Sequence, residues 1–178
     1  MTTRPAIRIS VLLLAIFLTA CGGGSLTAPA PTTATVSLAT VAKSGQNPQV
    51  SGITVELLLP AGVTLRTVAA SRQTADGVVS YSGNAAFSNL TSQLFPRPLF
   101  GSYSTGGSGR GAVTISFISP TPFGAGEFAT LTCDVAAGAT ATASGFQILN
   151  FQATGDSATQ FADDLTALFD TPIVTMAH

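Results

Sequence analysis

Apolar side chains that recur at every second position constrain this chain more than any other feature. Ile53, Val55, Leu57 and Leu59 alternate with Thr54, Glu56 and Leu58; after Pro60, Ala61 and Gly62 the alternation resumes at Val63, Leu65 and Thr67. Successive side chains on an extended strand point to opposite faces, so this pattern gives each run one face to bury and predicts a strand, a turn and a second strand. Val113, Ile115 and Phe117 alternate in the same way with Thr114 and Ser116, and residues 119–126, SPTPFGAG, read as a turn region. Ala129, Leu131, Cys133 and Val135 alternate with Thr130, Thr132 and Asp134, which places Cys133 on a core face beside Leu131 and Val135. Further strands are predicted over residues 35–40, 78–81, 99–103, 146–151 and 172–176. Gly, Pro, Ser and Asn clusters separate them. About nine short strands so spaced predict an all-β chain, a jelly-roll-type β-sandwich, rather than an α/β fold.

Helical spacing is confined to one or two short turns. Phe161, Leu165, Leu168 and Phe169 fall at helical intervals after Asp156 and Ser157, which are capping residue types, and a second turn is predicted around residues 85–94. Only 8% of residues are charged, against roughly a quarter in ordinary soluble proteins. Gly, Ser, Thr and Ala take the surface instead, which suits exported β-rich proteins better than cytosolic helical bundles.

The first residues have a different character. Residues 1–10 carry Arg4 and Arg8 and no acidic residue, and residues 11–18, VLLLAIFL, are uninterruptedly apolar. That run is too short to span ~30 Å of hydrocarbon, which needs roughly 18 or more residues, and it reads as the core of a signal peptide. The segment Leu18, Thr19, Ala20, Cys21 then resembles the lipobox of bacterial lipoprotein precursors. The resemblance implies cleavage after residue 20, a diacylglycerol thioether on Cys21 and an acyl chain, such as palmitate, on its new amino group. Acyl chains contribute ~0.8 kcal/mol per buried CH₂, so such a residue anchors a domain without a spanning helix. Gly22 stands where an inner-membrane retention signal would place Asp, so the resemblance favours the outer membrane of the cell envelope, facing either the periplasm or the outside. Residues 21–35, CGGGSLTAPAPTTAT, carry no charge and too little apolar surface to offset their ordering entropy. They are expected to form a lipidated tether, leaving residues 36–178 as one binding domain. With Cys21 lipidated, Cys133 has no partner for an intrachain disulfide, and a buried, inert thiol is expected.

Two internal stretches resemble cohesin modules and the related carbohydrate-binding sandwiches. Residues 50–68, VSGITVELLLPAGVTLRTV, are similar to the cohesin pair in which a Gly-containing strand of alternating apolar residues meets a short turn and a β-branched strand. Residues 124–135, GAGEFATLTCDV, resemble the G-x-G-x-[LF]-A-T-[LI]-x-F-x-V strand late in that fold, with Cys133 where a larger apolar residue is usual. Pro60, Ala61 and Gly62 replace the acidic turn common in cohesins. The resemblance implies a binding sandwich with a dockerin-like or other envelope protein as partner, or polysaccharide as the alternative ligand.

Residues that do chemistry are scarce. The chain has 1 histidine, His178, at its last position. Ser-His-Asp, Cys-His and His-based zinc sites each need a positioned imidazole, so no enzyme of those classes is expected. Gly124, Gly126 and Ala129 fit a dinucleotide-binding G-x-G-x-x-A, but a period-two strand follows where that motif requires a helix. Glu56 and Glu127 could in principle flank a glycosidic bond, yet both fall on strands, where solvated glutamates are the rule. No cofactor is expected beyond the lipid. Asp156, Asp163, Asp164 and Asp170 are the residues that could offer oxygens to Ca²⁺, though not at EF-hand spacing. The chain has 7 basic against 8 acidic residues, and two of the basic ones lie in the leader, so nothing marks a nucleic-acid surface. The long polar stretch 83–111 is different. Its Asn84, Asn89, Gln93, Arg97, Tyr103 and Arg110 are the side-chain types from which loops build polar recognition surfaces, and they form the expected binding surface. A non-enzymatic, membrane-anchored lipoprotein displaying a protein-binding module is the resulting expectation. Polysaccharide binding, and a structural subunit of an outer-membrane or extracellular-matrix complex, stand as alternatives.

Overall fold

The computed structural model describes residues 30–90, 99–106, 109–155 and 163–177. The leader, Cys21, most of the tether, Gln93, Arg97, Asp156, Phe161 and His178 lie outside the described residues. Ten strands and one α-helix are found among those described, in the order β1 (Thr32–Ala39), β2 (Val50–Leu58), β3 (Val63–Thr64), β4 (Val79–Tyr81), α1 (Gly83–Leu90), β5 (Leu99–Thr105), β6 (Gly111–Phe123), β7 (Glu127–Val135), β8 (Gln147–Gly155), β9 (Asp163–Asp164) and β10 (Ile173–Met176). Short 3₁₀ turns cover Ala143–Gly145 and Thr166–Leu168.

The strands form two antiparallel sheets. One runs β10-β1-β7, with β3 and β4 both pairing with β7; the other runs β5-β6-β2-β8-β9. The chain changes sheet at most connections, from β1 to β2, β2 to β3, β4 to β5, β6 to β7, β7 to β8 and β9 to β10. This wrapping is that of a jelly-roll-type sandwich. Each of the nine predicted strands is present, and β9 is an addition of two residues.

Alternation decides what lies between the sheets. Ile53, Val55 and Leu57 of β2 and Val113, Ile115 and Phe117 of β6 point inward from one sheet, and Val36, Leu38, Leu131 and Cys133 point inward from the other; all are buried. Phe117 ties the layers together. Its ring stands edge-on to Tyr81 of β4 (centroids 5.3 Å apart), stacks on Phe123 (5.8 Å) and lies tilted against Phe128 of β7 (6.0 Å).

Three local expectations are corrected. First, β6 does not stop at a turn after Ser119 but continues through both prolines to Phe123. Opposite it, Gly52 pairs with Ile118 and Val50 with Phe123, so β6 carries an extended bulge over residues 119–122 where the ladder is interrupted. Proline lacks an amide to contribute and is tolerated at such a place. Ser119 Oγ donates to the Thr121 carbonyl at 2.7 Å within the bulge. Second, residues 163–169 form no α-helix. The Asp164 carboxylate accepts the Thr166 amide at 2.9 Å and the Thr166 hydroxyl accepts the Ala153 amide at 3.0 Å, so side chains satisfy backbone groups that a helix would have used. Phe169 turns instead into the core, edge-on to Phe151 at 5.9 Å. Third, residues 32–35, assigned to the tether, belong to β1, since Thr32–Thr35 pair with Val135–Thr132 of β7. The helical turn predicted around residues 85–94 is found as α1, at Gly83–Leu90.

Candidate functional site

Of the residues expected to share a binding surface, Asn84, Tyr103 and Arg110 are described with their side chains, and these three are not brought together. Asn84, in the first turn of α1, donates through Nδ2 to the carbonyls of Ala125 (2.7 Å) and Gly124 (3.4 Å), clamping the turn between β6 and β7. Thr40 holds the same turn from the other side, its amide donating to Gly126 O at 2.9 Å and its hydroxyl accepting the Gly126 amide at 3.1 Å. Arg110 lies at the opposite end of β6. Its Nε donates to Leu59 O (2.8 Å) and its Nη2 to Gly145 O (3.0 Å), tying the end of β2, the start of β6 and the 3₁₀ turn before β8 to one guanidinium. The 13 residues of β6 separate the two clamps, up to roughly 40 Å of strand. Both side chains therefore serve the fold, at opposite ends of the sandwich. Asn89 lies within α1.

Tyr103 is interior. It is 7% exposed, and its ring lies over Gly111, where an added Cβ would come within 2.3 Å of it. Among the described residues its hydroxyl has no hydrogen-bond partner, and burial, followed by the nearby Cys133 thiol, raises its pKa. A buried unpaired hydroxyl costs stability, so Tyr103→Phe is expected to leave the fold intact and raise stability by about 0.5–1 kcal/mol. Urea denaturation measures this. A loss of stability would mean that the hydroxyl has a partner in the folded chain.

Asp163 and Asp164 pair with Gly155 and Thr154 at the end of β8, and the Asp170 amide donates to Val41 O at 2.9 Å. The hydrogen bonds from Thr166 lower the Asp164 pKa. Among the described residues no three His, Cys, Asp or Glu side chains are grouped so as to hold a metal ion. Glu56 and Glu127 stand in different sheets.

What the fold does present is the outer face of the β5-β6-β2-β8 sheet. Register puts Thr54 between Ser116 and Gln152, Glu56 between Thr114 and Asn150, and Gly52 between Ile118 and Thr154. Thr54 and Ser116 hydroxyls meet at 3.1 Å. Gly52 lets Thr154 close in on this face, since a Cβ there would sit 2.5 Å from Thr154 Oγ1. A depression of about 240 Å³ opens above it, walled by Ile118 and floored by Thr54 and Ser116. Ile118 is 66% exposed. Glu56 is the one charged side chain in the three rows. Alternation puts Thr54, Glu56, Thr114 and Ser116 on the side away from the core, and of these the sequence singles out Glu56 alone, as a candidate carboxylate. A glycine inside a strand was the available signal, because it marks a bulge or a close approach.

Fold and surface thus define a two-sheet antiparallel sandwich with one nearly uncharged sheet face, and no helix among the described residues is long and apolar enough to cross a membrane. No protein-family model, no curated protein and no solved structure matches the chain.

Proposed function

We propose that this chain is a non-catalytic, lipid-anchored protein of a bacterial envelope that uses the outer face of the β5-β6-β2-β8 sheet to hold a protein partner. The observation that carries the reading is that face itself: hydroxyl and amide side chains with a single carboxylate, a shallow depression beside Gly52 and the exposed apolar side chain of Ile118 in its lining. Interfaces of non-obligate complexes combine a small apolar centre with uncharged hydrogen-bonding groups and few charges. The stretches that resemble cohesins form β2 with the following turn and β3, and β7 with the turn before it, so the first of them includes the centre of the proposed face. The lipobox-like residues 18–21 supply the anchor.

A protein partner fits better than polysaccharide. Sugar rings are usually held by exposed coplanar aromatic side chains. The chain has no Trp and 2 Tyr, and both tyrosine hydroxyls are buried, with Tyr81 packed on Phe117 and Tyr103 over Gly111.

The test uses the full chain with a C-terminal affinity tag, recovered with mild detergent from the envelope of the bacterium that makes it. Thr54→Arg and Ser116→Arg place bulky charge in the middle of the face and are expected to reduce capture of the specific partner at least tenfold, with folding unchanged by circular dichroism. Cys21→Ala is expected to release the chain from the membrane fraction while sparing capture. Equal recovery with and without the arginine substitutions would remove this face from consideration.

A further inference from the structure

The two edges of the β5-β6-β2-β8-β9 sheet are treated differently. On β5 the strand's outer groups are occupied: the Thr74 amide donates to Gly101 O at 2.8 Å and the Tyr103 amide to Arg72 O at 2.7 Å. On β8 they are not. Only Thr154 and Gly155 pair with β9, and the Ala153 carbonyl and amide are taken by the Leu165 amide (2.9 Å) and Thr166 Oγ1 (3.0 Å). From Gln147 to Gln152 the edge meets no further strand among the described residues.

The pattern along that window repeats about its own centre. Ile53, Val55 and Leu57 of β2 stand opposite Ala153, Phe151 and Ile148, with one extra residue of β8 inserted around Leu149. Ala153 aims its amide and carbonyl at the outer edge, so by the alternation of an antiparallel ladder Phe151 and Ile148 do the same. For neither is a backbone partner from outside the ladder found among the described residues. Gln147 and Gln152 point to the outer face, opposite Leu58 and Thr54, and Ile148 and Phe151 to the inner one. Read in either direction the edge is therefore glutamine outward, apolar inward, the bulge, apolar inward, glutamine outward. It contains no Pro, Lys or other charged side chain, the residue types by which exposed edges are often blunted. Leu149 is 52% exposed, and a depression of about 310 Å³ lies between residues 148–151 and the segment 169–172. The window is bounded at both ends, by the 3₁₀ turn Ala143–Gly145 before it and by Leu165 and Thr166 after it.

We propose that two copies of this chain pair through their β8 edges, antiparallel about a two-fold axis between Leu149 and Asn150. Ile148 of one copy then faces Phe151 of the other and exchanges hydrogen bonds with it, and Gln147 faces Gln152. The match is isologous, as a closed dimer requires, and an uncharged edge meets its copy with no like-charge repulsion. A heterologous strand would need no such symmetry. So short a seam buries less than the roughly 1,200 Å² of a standard stable interface, so the dimer forms reversibly and its fraction rises with concentration.

Full-length chain in detergent micelles, examined by sedimentation velocity over a range of concentrations, is expected to pass from monomer to dimer and no further. Leu149→Lys is expected to raise the dissociation constant at least tenfold without changing the circular dichroism spectrum. Gln147→Cys combined with Gln152→Cys is expected to give a disulfide-linked dimer on mild oxidation, whereas Gln147→Cys alone, which has Gln152 opposite it, gives little. Monomer at every concentration, a dimer indifferent to Leu149→Lys, or cross-linking of the double-cysteine variant only to a different protein would each overturn the proposal.

Discussion

Phe117→Ala is expected to cost about 3–5 kcal/mol, the range for emptying a fully buried aromatic site, and to lower the thermal midpoint by on the order of 10–20 °C. The reason is position as much as size. Phe117 is 2% exposed, and its ring touches Tyr81 and Phe128 from the opposing sheet as well as Phe123 of its own strand. Aromatic pairs add roughly 0.5–1.5 kcal/mol each beyond burial, and alanine would forfeit three of them around one cavity. Domains of this size hold about 5–15 kcal/mol in all, so the variant is left near the edge of folding. Ile118→Ala is the internal control. It removes a neighbouring side chain that is 66% exposed on the other face, and should shift stability by no more than about 0.5 kcal/mol. Urea midpoints for the pair decide the matter: equal losses at 117 and 118 would mean that β6 does not present Phe117 to the core.

That contrast also shows what could be read from sequence. Period-two alternation identifies the inward set because burial acts on side chains one strand at a time, and Val55, Ile115 and Leu131 need no knowledge of their neighbours to be assigned. Within residues 119–126 only the last three form the turn, because Ser, Pro and Gly mark a turn only where a ladder would otherwise demand amides. Here β2 offers a single residue, Ser51, across the whole bulge, so the prolines meet no such demand. Leu165, Leu168 and Phe169 have helical spacing, yet the Asp164 and Thr166 side chains capture the backbone locally, and nothing in the spacing reveals that competition. The roles of Asn84 and Arg110 were illegible for a related reason. Asn84 and Arg110 are polar in a polar stretch, and their use as clamps depends on carbonyls at Ala125, Leu59 and Gly145, which only the fold brings near. The face around Gly52 was hidden because its members come from three strands distant in sequence.

Alkaline pH is expected to destabilise the domain through Cys133. The residue is fully buried on β7 between Leu131 and Val135, and burial, with a smaller contribution from the Asp134 carboxylate, pushes its pKa from 9.0 up to about 12. Below the ordinary value both folded and unfolded chains keep the proton, and the thiol contributes no pH dependence. Between pH 9 and about 12 the unfolded chain releases the proton while the folded chain retains it, so stability falls with a slope approaching about 1.4 kcal/mol per pH unit. Tyr81 and Tyr103, whose pKa values are also raised by burial, act in the same direction above pH 10. Cys133→Ala isolates the thiol: it leaves a small cavity and lower stability at pH 8, but its urea midpoint should stay nearly level from pH 8 to 10, where the parent's declines. Iodoacetamide offers a second reading, since the thiolate is the reactive form. Peptide mapping should find Cys133 unmodified in the folded protein at pH 8 and alkylated in urea. Parallel pH profiles for the parent and Cys133→Ala, or rapid alkylation of the native chain, would show that the thiol reaches solvent and that β7 does not seal this part of the core.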